Sequence, residues 1–137
     1  MAKLPKNYRP SEDESFMNAK QREYFKRLLN NWRQELLNET GLTLKHLQEE
    51  TVPAADIADR AAAETDRALE LRTRDRERKL IQKIDEALGR IENKTYGYCE
   101  ETGEQIGLRR LEARPIATLS LEAQERHERR ERVYRDD

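Results

Sequence analysis

Cys99, Thr102, Ser120 and Ala123 stand at the four ligand positions of a zinc ribbon, and only the first is a cysteine. Such a site reads C-x2-C, about 15–20 residues, then C-x2-C. Structural zinc wants four well-placed sulfur or nitrogen ligands. Thr102 and Ser120 offer hydroxyls that can hydrogen-bond where thiolates would sit, and Ala123 can only pack. Zinc is therefore not expected. Cys99 with His127 and a glutamate would be the remaining metal set, and it also falls short of four ligands. Cys99 has two readings of its own. It is a small buried hydrophobe, or a redox sensor that is sulfenylated or glutathionylated without a resolving partner. Its sequence neighbours Glu100 and Glu101 are acidic, which predicts a raised thiol pKa.

The second set of chemically able residues is Asp56 and Asp59, three apart in PAADIADRA (53–61). Carboxylates near a helix start satisfy orphan amides and complement the dipole. They are also hard oxygen ligands suited to magnesium. The first role is structural; the second would make the pair a working tip. The two histidines, His46 and His127, fall on helical stretches and are expected in solvent. No nucleophile–base arrangement is visible, so an independent enzyme is not expected.

The elements that must carry these residues follow from composition and period. Of 137 residues, 40% are charged and 35% hydrophobic, with five glycines and four prolines. High charge with few aromatics, but few helix breakers, predicts long exposed helices rather than a large core. Net charge is -1, which disfavours the phosphate backbone as main ligand. No apolar run spans a membrane, MAKLPKNYRPSEDES lacks a signal-peptide core, and one cysteine excludes an internal disulfide. A soluble cytoplasmic protein is expected.

Residues 1–17 show no period and are expected as a mobile tail. Asn18 with Gln21 reads as a capping box. Phe25, Leu28, Leu29, Trp32, Leu36 and Leu47 then follow at helical spacing, through a weak point at Gly41. Pro53 breaks the pattern. A second helix is expected from about residue 58 to 93, with its seam through Ala62, Leu69, Thr73, Arg76, Leu80, Ile84, Ala87 and Ile91. The expected fold is mostly α. Residues 18–93 form a long antiparallel coiled-coil hairpin with its tip near 53–61, whose N-terminal part also packs on a small base. Each arm would be about 45–50 Å long. In that pairing Arg76 meets Glu35 or Glu39 across the seam, or snorkels outward. Residues 94–119 form a zinc-finger-like region without metal. Its apolar cluster of Ile106, Leu108, Leu111, Ile116, Leu119 and Leu121 would offset, at about 1.5–3 kcal/mol per side chain, much of the about 10–16 kcal/mol a structural zinc supplies. Residues 120–137 form a C-terminal helix begun by a Ser120–Ala123 cap.

Asp56-Ile57-Ala58-Asp59-Arg60-Ala61 resembles the D-x-x-D-x-A coiled-coil tip of the DksA/TraR family. LELRTRDRERKLIQKI (69–84) and YGYCEETGEQIGLRRLEARPIATL (96–119) resemble that family's long helix and finger, in one register from Asp56 to about Gln124. The resemblance covers about half the chain.

It implies a monomeric bacterial regulator that binds RNA polymerase rather than DNA sequence. Such a regulator inserts its coiled coil through the secondary channel and modulates open complexes with ppGpp in the stringent response. By resemblance, Asp56, Asp59 and Ala61 form the tip near the polymerase active site. Arg76, Leu80, Lys83 and Arg114 are the polymerase- and ppGpp-linked positions. Two departures stand out: Gln124 replaces a ppGpp-contacting lysine, and the zinc ligands are reduced to Cys99. Other readings are a Gre-like transcript-cleavage cofactor holding magnesium with the tip acids, a redox-sensing regulator working through Cys99, and a purely structural or chaperone-like hairpin.

Overall fold

A computed structural model describes residues 3–49 and 57–135. They form four helices: α1 (Ala19–Glu49), α2 (Ile57–Glu92), α3 (Leu108–Ala113) and α4 (Leu121–Arg135). The fold is mostly α, as expected. Among the described residues the only bridge is the antiparallel pair Tyr98–Gln105. Residues 50–56, between α1 and α2 and including Asp56, lie outside the described residues.

The chain divides into two compact units, a base of residues 1–29 and 86–137 and an arm of residues 30–85. In the base, α1 begins at the expected cap. Asn18 Oδ1 accepts from the Gln21 backbone N–H at 2.8 Å. The return bond differs from a simple box: Gln21 Oε1 accepts from Met17 N–H at 2.7 Å, and its Nε2 donates to Ser11 O at 3.2 Å. Gln21 is fully buried. An amide stays there because both of its ends are satisfied.

That bonding corrects the tail. Over residues 3–17 the segment expected to be mobile is a series of turns held to the base. Tyr8 donates to Glu14 at 2.6 Å and stacks edge-on against Tyr24. Met17 is buried, and Phe16 meets Tyr98 edge-to-face at 5.5 Å. The contacts are single aromatics and turn bonds, which leave no period to read.

The base core joins Phe25, Leu29, Ala87, Ile91 and Tyr96 to Ile106, Leu108, Leu111, Ile116 and Ala117. Four of the six apolar residues expected in the finger cluster are in it. Leu119 is half-buried, and Leu121 is 58% exposed at the first position of α4. α2 ends without a glycine. Lys94 takes the left-handed conformation (φ 63°), and the N–H groups of Thr95 and Tyr96 both reach Arg90 O. These bonds cap carbonyls the last turn leaves open.

In the arm, α1 and α2 run antiparallel. Arg33 Nε meets Asp85 Oδ1 at 2.7 Å, and farther along α1 the Thr40 hydroxyl meets Glu77 Oε2 at 2.8 Å. The expected seam holds at Ile84 and half-buried Leu80, then departs. Arg76 is exposed, as are Glu35 and Glu39, and the residue turned into the seam is Glu77, 8% exposed. The cause is helical drift. Two successive four-residue steps back from Ile84 arrive about 80° away from its direction, whereas a single seven-residue step arrives within about 20°. Thr73 and Leu69 are exposed as well.

Candidate functional site

The former metal frame folds as two facing turns. Gly103 N–H donates to Cys99 O at 2.9 Å, Cys99 N–H to Glu104 O at 2.7 Å, and Ile106 N–H to Gly97 O at 2.8 Å. Gly103 sits at φ 73°, a left-handed position that favours glycine. The second turn is tied to the first by Glu100 N–H donating to Thr118 O at 2.9 Å. Arg110 Nε closes it onto Leu119 O at 2.9 Å. Ser120 then caps α4, its Oγ accepting from Ala123 N–H at 3.2 Å and its carbonyl from Gln124 N–H at 2.9 Å.

All four ligand positions come together, but by other means than a metal. Cys99 is 3% exposed. Burial pushes its thiol up, yet the Thr102 side chain and the backbone N–H groups of Ser120, Thr102 and Glu101 all hydrogen-bond the sulfur and outweigh it, bringing the thiol down to about 6. Hydrogen bonds to the charged form favour that form. The rise expected from Glu100 and Glu101 is therefore overturned, because both carboxylates lie in solvent while amides face the sulfur. Thr102 acts through its side chain as expected. Ser120 instead acts through its backbone, since its hydroxyl is used by the cap. Ala123 is fully buried and packs.

This donor set does not fit zinc. One thiol, one hydroxyl already bonded to sulfur, one capping hydroxyl and one methyl cannot supply four ligands. Among the described residues no group of three His, Cys, Asp or Glu is placed to hold a metal. His127, expected in solvent, is half-buried and pairs through Nε2 with Glu101 Oε1. The side chain of His46 lies outside the described residues.

Arg76 and Lys83 are exposed on one face of α2, with Leu80 half-buried between them. Arg72 and Lys79 line the same shallow surface together with Asp75. Sequence reading missed those two cations, although the steps 72–76–79–83 are visible as one helical face. Asp75 is drawn aside by Arg78 at 3.6 Å, which leaves the face basic. Arg114 is exposed at the C-terminal cap of α3, where its N–H donates to Arg110 O at 2.7 Å. Gln124 is half-buried in the first turns of α4, with its amide toward Glu128 at 3.4 Å.

At the start of α2, Asp59 lies exposed in the first turn and Ala61 is exposed just beyond it. That position suits a carboxylate on electrostatic grounds alone. From Ile57 to Leu69 every residue of α2 is exposed, with Ile57 at 84% and Leu69 at 54%. Asp56 falls outside the described residues.

Residues 21–91 match the family described as DnaK suppressor protein DksA, N-terminal domain, and residues 94–129 match the prokaryotic dksA/traR C4-type zinc finger. The chain is 70% identical over 131 residues to the RNA polymerase-binding transcription factor DksA of Caulobacter vibrioides (strain NA1000 / CB15N), covering 96% of this chain and 92% of the relative. It is 46% identical over 125 residues to the protein of the same name from Escherichia coli (strain K12), covering 91% and 83%. Among solved structures it resembles transcription factor DksA2 from Pseudomonas aeruginosa, with TM-score 0.79 and 48% identity over 85% of this chain and 90% of that one.

Proposed function

The chain belongs to the DksA family, and on that premise we propose that it binds bacterial RNA polymerase as a cytoplasmic, monomeric regulator of transcription. Its α1–α2 hairpin enters the secondary channel and its tip modulates open-complex stability. The observation that carries this reading is the start of α2, where residues 57–69 are all exposed with Asp59 and Ala61 among them. A helix so little buried by its own chain is a surface for another molecule.

In this reading Asp56, Asp59 and Ala61 work near the polymerase active site. Arg76, Leu80 and Lys83, with Arg72 and Lys79 beside them, meet acidic protein surface or ppGpp phosphates. Arg114 supplies a further cation from the base. Neutral Gln124 removes one phosphate-facing charge, which favours weaker ppGpp coupling. The protein acts by binding and does no chemistry of its own. Among the described residues no helix is long and apolar enough to cross a membrane. The hydrogen-bonded Cys99 turn, rather than zinc, holds the finger.

The test is in vitro transcription from a ribosomal promoter in chelator-treated buffer, comparing the protein with Asp59→Asn, each with and without ppGpp. The expected result is inhibition that survives chelation and is lost in the variant. Equal inhibition by both would reject a tip-dependent mechanism. Cleavage of a backtracked transcript, lost in Asp59→Asn, would instead assign the tip to a Gre-like role. A second reading, redox sensing, is favoured by the lowered Cys99 thiol. It predicts a peroxide response that Cys99→Ser abolishes, and an equal response in both proteins rejects it.

A further inference from the structure

Glu77 has no place in the tip, the cationic face or the finger, yet it is the one carboxylate buried among the described residues. It sits at a seam position of α2, seven residues before Ile84, where an apolar side chain would pack best. Its Oε2 accepts a hydrogen bond from the Thr40 hydroxyl at 2.8 Å, and the same hydroxyl lies 2.8 Å from Leu36 O. The Thr40 proton is thus shared between its own helix and the facing one. Toward the tip, α2 has only half-buried Arg74 and Glu70, and then residues 57–69 in solvent. Glu77 is therefore the buried residue nearest the start of α2 among the described residues.

A polar layer in a coiled-coil seam is a weak source of stability and an effective selector of register. Leucine-like seams tolerate sliding, because one apolar side chain fits the neighbouring hole nearly as well as its own. A carboxylate does not, because a slip takes Glu77 away from the Thr40 hydroxyl and leaves it buried and unpaired, while Thr40 falls back on Leu36 O of its own helix. A slip by one turn would displace the tip by about 5 Å. We propose that Glu77 and Thr40 are positioning residues that lock the register of α1 against α2 and so set where the tip stands. The inference rests on the reading of the arm as a probe of the polymerase channel, and it assigns to that probe its alignment device.

The first readout needs no polymerase. Nitroxide-bearing unnatural amino acids are placed at exposed Asn38 and Asp66, leaving Cys99 untouched, and their separation is measured by double electron–electron resonance. The parent and Glu77→Gln, which keeps a hydrogen-bonding partner for Thr40, are expected to give one narrow distribution. Glu77→Leu is expected to give a broadened or doubled one while remaining folded with an equal or higher Tm. An unchanged distribution in Glu77→Leu overturns the proposal, as does a Glu77→Gln distribution as broad as that of Glu77→Leu.

The second readout is the transcription assay. Glu77→Leu should lose inhibition on the order of fivefold at unchanged polymerase affinity, as expected when a working group is misplaced by a few ångströms, and Glu77→Gln should retain it. Full inhibition by a folded Glu77→Leu overturns the positioning role. If the parent itself fails to inhibit, the polymerase reading fails, and the spin-label result still decides the register lock.

Discussion

The base and the arm use buried polar groups to opposite ends. In the base, Gln21 is enclosed by three hydrogen bonds and lies in a core of Phe25, Tyr96, Leu111 and Ile91. There the apolar contacts supply stability, and the polar group fixes how the N-terminal turns enter. In the arm, buried Glu77 meets half-buried Thr40, and residues 57–69 of α2 beyond them are exposed. There the polar pair does more for alignment than for stability.

The largest effect should follow from emptying the base core. Tyr96→Ala removes a fully buried ring whose hydroxyl donates to Pro115 O at 2.7 Å. Thermal or denaturant unfolding should show a loss of about 3–5 kcal/mol. A loss under about 1 kcal/mol would mean that the base is not the stable unit.

Gly97→Ala comes next. Gly97 has φ 93°, and a Cβ there would meet Phe16 at 3.1 Å. Backbone strain of about 1–3 kcal/mol is expected, together with faster amide exchange in both the 97–106 turn and the N-terminal segment. Exchange confined to the turn would show that the segment is not braced on it.

The third prediction concerns pH. The folded Cys99 thiol is depressed to about 6, from an ordinary value of 9.0. Its contribution is fully present above the unfolded value and is lost as pH falls through the folded one. Between about pH 9 and pH 6 the parent should therefore lose stability on acidification. Cys99→Ala should lack that component. Identical pH profiles for the two proteins would break the account of a thiolate-centred turn.

The smallest effect belongs to the arm. Leu69→Gln replaces a residue more exposed than buried and should change stability by no more than about 0.5 kcal/mol. Amides of residues 57–69 should exchange faster than those of 84–91. Equal protection would show that the arm is as firmly held as the base.

Local signals in the chain were readable wherever the physics was local. The Asn18–Gln21 and Ser120 caps each involve neighbours within a few residues. The seam was readable from Ile91 to Leu80, where apolar residues mark it. It was misread at Arg76 because no apolar residue marks the true position, and only counting seven from Ile84 points to Glu77. Leu121 looked like core by type, but as the first residue of α4 it faces outward. The residues expected at a tip or a polymerase contact were reached by resemblance; Asp59, Ala61, Arg76, Lys83 and Arg114 are exposed and Leu80 is half-buried.

By itself, the sequence determined the long helices, the caps of the first and last of them, the one-cysteine ligand frame and the family. These follow from period, turn chemistry and motif, which survive in one dimension. Only the tertiary structure decided that the N-terminal turns brace the base, that Glu77 rather than Arg76 enters the seam, and that donors around Cys99 draw its thiol down. Each depends on which donors and side chains a group meets from distant parts of the chain. The Cys99 sulfur faces amides from Glu101 and Ser120 at once, and that juxtaposition exists only after the chain has folded.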